Sequence, residues 1–329
     1  MQGTWRFDLL NRFQRDFPIL PRPFAALAAQ LDASEAEVIE ALRELRTNGL
    51  LSRVGAVFRP NVVGVSALAA LAVPPERLDA VAKQVSAWPE VNHNYEREHR
   101  FNLWFVVTAS DAASLNAVFH AIENACGCGA PLVLPMLREF HIDLGFNLTP
   151  DAKKAPPDTR AAPAAIALSD DERALIGAIQ DGLPLVERPF AALGCGETKA
   201  IKTLSRWIET GVIKRFGVIV RHHELGFTDN AMVVMNIPDD EVERVGQRIA
   251  ASGLVTLCYR RPRQLPEWPY SLFCMMHGKD RAEVEARIVA LATTCELETY
   301  PRAILFSRRR FKQCGARYAT LPELEHGRT

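Results

Sequence analysis

The sequence predicts an α+β chain made by tandem duplication of a two-part module, and three observations carry that prediction. Arg22-Pro23-Phe24-Ala25-Ala26-Leu27 returns letter for letter as Arg188-Pro189-Phe190-Ala191-Ala192-Leu193. Residues 49–59, opening on Gly49-Leu50-Leu51-Ser52-Arg53 and followed by Gly64, are answered by residues 211–221, opening on Gly211-Val212-Ile213-Lys214-Arg215 and followed by Gly226. Further on, Asn94-Tyr95-Glu96-Arg97 has its counterpart in Cys258-Tyr259-Arg260-Arg261. Each repeat exceeds the ~20–50 residues of a solenoid unit, so a whole module has been copied.

The first third of each copy reads as three short helices and a strand. In copy one the helices fall at residues 8–17, 23–31 and 34–48, the last with Val38, Leu42 and Leu45 at helical spacing. Ser34 with Glu37 is a capping-box signature, and Gly49 is a C-terminal stop. With the strand at 51–58 this is a winged helix-turn-helix. Copy two repeats it with helices at 170–180, 188–193 and 196–210 and a strand at 212–220.

The remainder of each copy alternates in the order βαββαβ, which is the ferredoxin-like arrangement of one antiparallel sheet with both helices on one face. The elements are 67–73, 77–88, 91–97, 101–108, 112–125 and 137–144, then 232–237, 240–252, 256–261, 270–277, 281–293 and 303–311. The expected domains are winged helices at 1–62 and 168–224 and sheet domains at 63–148 and 225–329. Residues 149–167, rich in Pro, Ala, Lys and Asp without apolar periodicity, read as a linker. The two sheet domains are expected to pair as an internal pseudo-dimer.

Composition narrows the class. The chain has 329 residues, 48% hydrophobic and 24% charged, enough for ordinary cores in two or more domains. Lys+Arg and Asp+Glu both stand at 39, which leaves no global basic field for a polyanion. The first residues carry neither the charged segment nor the apolar core of a signal peptide, and no stretch approaches the ~20 apolar residues of a membrane span. A cytoplasmic protein is expected. Seven scattered Cys, with Cys126 and Cys128 as the one close pair, suggest neither a disulfide framework nor a metal clip.

The fold invites DNA binding, but the third helix of copy one carries Glu35, Glu37, Glu40 and Glu44 against Arg43 and Arg46, which phosphate would repel. Copy two has Lys199, Lys202 and Arg206, a single competent head. Retained scaffold is the better reading, and a ligand-responsive regulator the alternative.

Chemistry concentrates on the strand 91–97. Alternation puts His93, Tyr95 and Arg97 on one face and Asn92, Asn94 and Glu96 on the other. Imidazole, phenol and guanidinium in line each need a partner when buried, so this face is expected to meet a polar substrate; a salt-bridged or solvated face is the bland alternative. Copy two keeps Tyr259 and Arg261, replaces His93 by Leu257, and adds Arg260 and Arg263. Arg308, Arg309 and Arg310 lie near the last strand, His277 ends an apolar strand, His222 and His223 follow the second wing, and His99 is expected beside His93 at a hairpin, with a solvent-facing place as the alternative. His120, His141 and His326 are read as structural.

A winged helix followed by a ferredoxin-like domain resembles the Lrp/AsnC-like superfamily over nearly all of both copies. The strings from Val91 to His99 and from Leu257 to Arg263, with Trp268-Pro269-Tyr270 and the strand ending at His277, are similar to the siroheme decarboxylase branch (Nir/Ahb type, in the form that fuses D and L modules). The resemblance implies removal of CO2 from two ring acetates of siroheme to give 12,18-didecarboxysiroheme, in heme d1 or alternative heme biosynthesis. It implies His93, Tyr95, His277, His222 and His223 as catalytic candidates. The implied substrate-binding set is Arg97, His99, Tyr259, Arg260, Arg261, Arg263, Arg308 and Arg310. No cofactor beyond the iron tetrapyrrole substrate and no separate metal site are expected, while homologous decarboxylase subunits or a homo-oligomer are candidate partners. Which histidine protonates and which contacts iron stays open.

Overall fold

The computed structural model describes residues 4–142, 163, 165–221 and 229–318. Most of the expected linker, and His222 and His223, lie outside the described residues. Among the described residues no helix is long and apolar enough to cross a membrane.

Copy one opens with α1 (Trp5–Arg12), α2 (Pro23–Leu31) and α3 (Glu35–Thr47), then the wing strand β1 (Leu51–Phe58). Both halves of the capping box form at Ser34 and Glu37, and Val38, Ile39, Ala41, Leu42 and Leu45 are the buried stripe. Copy two has α6 (Asp170–Ile179), α7 (Glu197–Glu209) and the wing β7 (Ile213–Val220). The helix expected at 188–193 is instead a short 3-10 turn, Ala191–Leu193. The repeated hexapeptide runs on into Ala28, Ala29 and Gln30 in copy one, but in copy two it meets Gly194 and Gly196, both at positive φ, before an α-helical ladder can close.

The two wings pair with each other, antiparallel, with Gly55 opposite Gly217. At Gly217 a Cβ would come within 2.4 Å of the Phe13 carbonyl, so only glycine lets α1's trailing loop pack there. A single core, including Leu42, Val54, Phe190, Leu204, Trp207 and Val218, joins the two winged helices into one body.

Copy one continues with β2 (Val65–Leu71), α4 (Leu78–Ala87), β3 (Val91–Arg97), β4 (Leu103–Ala109), α5 (Ala112–Cys126), β5 (Leu132–Pro135) and β6 (Arg138–Ile142). Its counterpart is β8 (Asp229–Met235), α8 (Val242–Ala251), β9 (Leu257–Arg260), β10 (Leu272–Gly278), α9 (Arg281–Thr294) and β11 (Arg302–Gln313). All nine strands form one ladder, ordered β5-β2-β4-β3-β11-β8-β10-β9-β6.

That order corrects the expected single closing strand at 137–144. The closing segment starts on its own β2 as β5, then leaves to pair with β9 of the other copy as β6. β11 does the same, pairing with β8 through Phe306 and with β3 from Ser307 onward. The pseudo-dimer is thus knitted by exchanged strand ends. Outer faces pack on α4 and α5 around Leu71, Val81 and Phe105, and on α8 and α9 around Val233, Ile249 and Met276. The inner faces share a third core holding Trp104, Leu134, Met232, Trp268 and Phe273.

Candidate active site

Strand parity is as the sequence predicts. The Asn94 amide donates to the Ala82 carbonyl and the Ser86 hydroxyl, both 3.0 Å away on α4, so even positions of β3 face the helices. His93, Tyr95 and Arg97 therefore look inward. The His93 and Tyr95 rings are 6.3 Å apart, and the Arg97 guanidinium lies 5.7 Å from the Tyr95 ring. Arg97 then donates to Asn230 Oδ1 (3.2 Å) and to the Leu305 carbonyl (3.1 Å) across the pseudo-dimer. Asn230 is in register with His277, whose Nδ1 is 2.9 Å from Thr256 Oγ1. A polar line thus runs from His93 to His277 through both copies.

Exchange of β11 completes the His93 end. Gln313 stands opposite His93 and Arg310 opposite Tyr95, with Arg310 Nη1 donating to Gln313 Oε1 at 3.1 Å. The chain then crosses over β3, where the Cys314 N–H donates to the Asn92 carbonyl (2.8 Å), and reaches Tyr318 beside Phe58. From the wing, Arg53 brings its charge to bear on both His93 and Tyr318.

Electrostatics follow from this enclosure. Burial, and then the Arg53 charge, hold His93 down at about 4, so it is neutral near pH 7. Its Nδ1 is shielded from solvent and has no hydrogen-bond partner among the described residues. Burial raises Tyr95 against the opposing pull of Arg97 and Arg310. Arg97 is lowered by burial to about 10 and stays charged.

The other sequence-predicted residues separate. Arg261 bonds the Leu134 carbonyl and stacks 4.6 Å over Tyr259, both buried in the inner core. Arg260 and Arg263 grip Asp239 at 2.7 and 2.8 Å, so they hold a turn. Arg308 is exposed beside Glu98. His99 is not beside His93: it lies in the β3–β4 turn, accepting from the Phe101 N–H and packed edge-on to Trp268. Arg53, Gln313 and Tyr318 were not singled out from the sequence. Arg53 had a signal, since it recurs as Arg215, but nothing in one dimension places the wing beside β3.

Two surface depressions do not open on His93. One of 460 Å³ reaches Arg97 and is lined also by Glu96, Glu98, His99 and Arg308, and one of 290 Å³ lies between α6 and α7. In the latter, Lys199 and Arg206 are ion-paired with Asp171 and Glu172, which neutralises the copy-two helix that was best suited to phosphate.

Comparison with known proteins agrees with this architecture. The family described as AsnC-like ligand binding domain matches residues 63–141 and 224–312, and the siroheme decarboxylase NirDL-like HTH domain matches 8–51 and 172–214. The siroheme decarboxylase NirDL subunit of Paracoccus denitrificans is 46% identical, covering 94% of this chain and 96% of that one. This chain belongs to the siroheme decarboxylase NirDL family. A siroheme decarboxylase of Hydrogenobacter thermophilus is 32% identical over 95% of this chain and 94% of its own length. A crystal structure of siroheme decarboxylase NirDL in complex with an iron-uroporphyrin III analogue superposes with a TM-score of 0.69 at 29% identity, covering 95% of this chain and 94% of that one. In this chain the two wings pair with each other as a two-stranded sheet.

Proposed function

We propose that the protein is a carboxy-lyase that removes CO2 from the ring acetates of siroheme, with the two-acetate product 12,18-didecarboxysiroheme. The observation that carries the reading is the inward line of His93, Tyr95 and Arg97, closed by Arg310 of the exchanged strand and by Arg53. Each cation suits carboxylates, since guanidinium pairs them in a bidentate, permanently charged geometry.

In the reaction the C–C bond to the carboxylate breaks, CO2 leaves, and its electron pair passes to the methylene carbon and the adjoining ring π-system. A proton then converts that carbon to a methyl group. No oxidant or reductant is consumed. The macrocycle is the electron sink, so no further cofactor is required. His93 supplies the proton: its low pKa reflects burial and neighbouring positive charge, and a bound polycarboxylate offsets that charge, so the imidazole takes up a proton as substrate enters. Tyr95 and Arg310 orient the carboxylate, and His277, tied to Thr256, stands at the far end of the line. Homologous subunits complete turnover if one chain removes a single carboxyl group.

The test is anaerobic incubation of purified protein with siroheme, followed by mass spectrometry. Loss of one or two CO2 units is expected. Tight binding with unchanged mass would replace this reading by a tetrapyrrole carrier or sensor, and salt-sensitive binding to a specific duplex would restore the regulator.

A further inference from the structure

We infer that Arg53, on the wing strand β1, is a substrate-binding residue whose guanidinium receives a side-chain carboxylate of the macrocycle, so that the winged-helix domain forms one wall of the active site. This rests on the functional reading above and deepens it by naming a binding group outside the sheet domains.

Arg53 is built into its place. Gly182, at φ +106, lies so close that a Cβ would come 2.7 Å from Arg53 Cβ, and at Gly315 a Cβ would come 2.7 Å from Arg53 Nη1. Two glycines therefore leave room for the stem and the head of this one side chain. Its hydrogen bonding is nevertheless incomplete. Nη2 donates to the Ala56 carbonyl at 3.1 Å, Nε is shielded from solvent without a partner, and among the described residues the side chain has no ion pair.

The surroundings do not offset that charge. From β3 comes neutral His93, and from the extension of β11 come Cys314 and Tyr318. The carboxylate that acts on Arg53 is Asp181, and Arg317 holds it at 3.0 and 3.1 Å. A sheltered guanidinium with no anion of its own among the described residues costs folding free energy unless something arrives to pair with it. His93, with its own orphaned Nδ1, shares this enclosure. The missing anion is a ligand's, and in this family frame a carboxylate of a tetrapyrrole fits.

The experiment uses the full chain with iron uroporphyrin III as probe, in wild type, Arg53→Met and Arg53→Lys. Expected in Arg53→Met are a loss of affinity on the order of tenfold or more, a ligand-free Tm that is unchanged or higher because a poorly compensated charge has gone, and KM for siroheme rising with little change in kcat. Arg53→Lys should fall between the two. NMR titration of His93 gives a reading independent of ligand: Arg53→Met should raise its pKa, since a neighbouring cation has been removed. Unchanged uroporphyrin affinity would overturn the inference, as would weakened binding that simply tracks a fallen Tm, or an unmoved His93 titration. Because the probe is binding rather than turnover, a protein that holds uroporphyrin but does not decarboxylate siroheme sinks the functional reading alone. Wild type that binds no uroporphyrin sinks both.

Discussion

The pseudo-dyad relates two places that began as the same site and have gone opposite ways. Where β11 joins β3, Gln313 faces His93 and Arg310 faces Tyr95. Where β6 joins β9, Ile142 faces Leu257 and Glu139 faces Tyr259. The first keeps orphaned polar atoms at His93 and Arg53. In the second, Glu139 is salt-bridged to Lys214 and lies 3.7 Å from Arg59, with all three side chains largely sheltered. Buried nitrogens without a partner occur on both sides, at Arg260 and Arg261 as well as at His93 and Arg53, so what separates the two is the anion: the second has Glu139 among its cations, and among the described residues Arg53 has no such ion pair. Unsatisfied groups are tolerated where a ligand completes them, and an internal carboxylate among cations is how the same scaffold is stabilised where none comes.

The largest expected effect is at the open site. His93→Ala should lower turnover by about 10²–10⁴-fold, the usual worth of a placed general acid, with siroheme affinity little changed. Leu257→Ala at the closed site should leave turnover near wild type. Single-turnover assays with mass detection check both, and a fully active His93→Ala would move the acid to His277 or to His222 and His223.

Next comes the closed site itself. Glu139→Ala removes the carboxylate shared by Lys214 and Arg59, whose side chains are 11% and 4% exposed, and removing one partner of such a network costs about 3–5 kcal/mol. Thermal unfolding should show a large fall in Tm. A drop no greater than that of an exposed ion pair would mean that the network is not what closes the second site.

The contrast also shows what one sequence can reveal. The inward face of β3 was legible because period-two alternation is local, and so was the winged helix, from its capping box and the glycine after it. The strand exchange was not, because the residues facing His93 come from Gln313, far along the chain, and no local pattern selects between a copy's own sheet and its partner's. The 188–193 segment misled for the opposite reason: identical letters were read as identical structure, while the glycines beyond them decided the outcome. Arg53 stood in plain view in the repeat, but its burial against Gly182 and Gly315 is a tertiary fact.

pH separates the two sites on a smaller scale. His93 is depressed from an ordinary 6.5 to about 4, so its neutral form is what the fold accommodates. Above pH 6.5 both folded and unfolded forms are neutral and its stabilising contribution is complete; as pH falls from 6.5 through about 4 the unfolded chain binds the proton first and stability is lost. A shift of this size corresponds to at most about 3 kcal/mol, less where solvent reaches the ring. His93→Gln should flatten this part of the stability profile, measured by denaturant midpoints between pH 7 and about 4. Leu257 offers no such term at the closed site, so an equally steep acid slope in His93→Gln would assign the loss to other groups.

The smallest effect tests whether the copy-two arginines belong to the binding surface at all. Arg260 and Arg263 both hold Asp239, which is 65% exposed, and Arg263 also bonds Asn236 and the Pro269 carbonyl. If they serve that turn, Asp239→Ala should cost no more than about 1 kcal/mol, the range of exposed ion pairs, and leave uroporphyrin binding unchanged. If instead they reach substrate, Asp239 competes with the macrocycle for them, and its removal should tighten binding. Calorimetric titration of Asp239→Ala with iron uroporphyrin III distinguishes the two, because one account predicts no shift and the other a gain. The gain would bring the copy-two edge back into the active site and weaken the contrast between an open and a closed half.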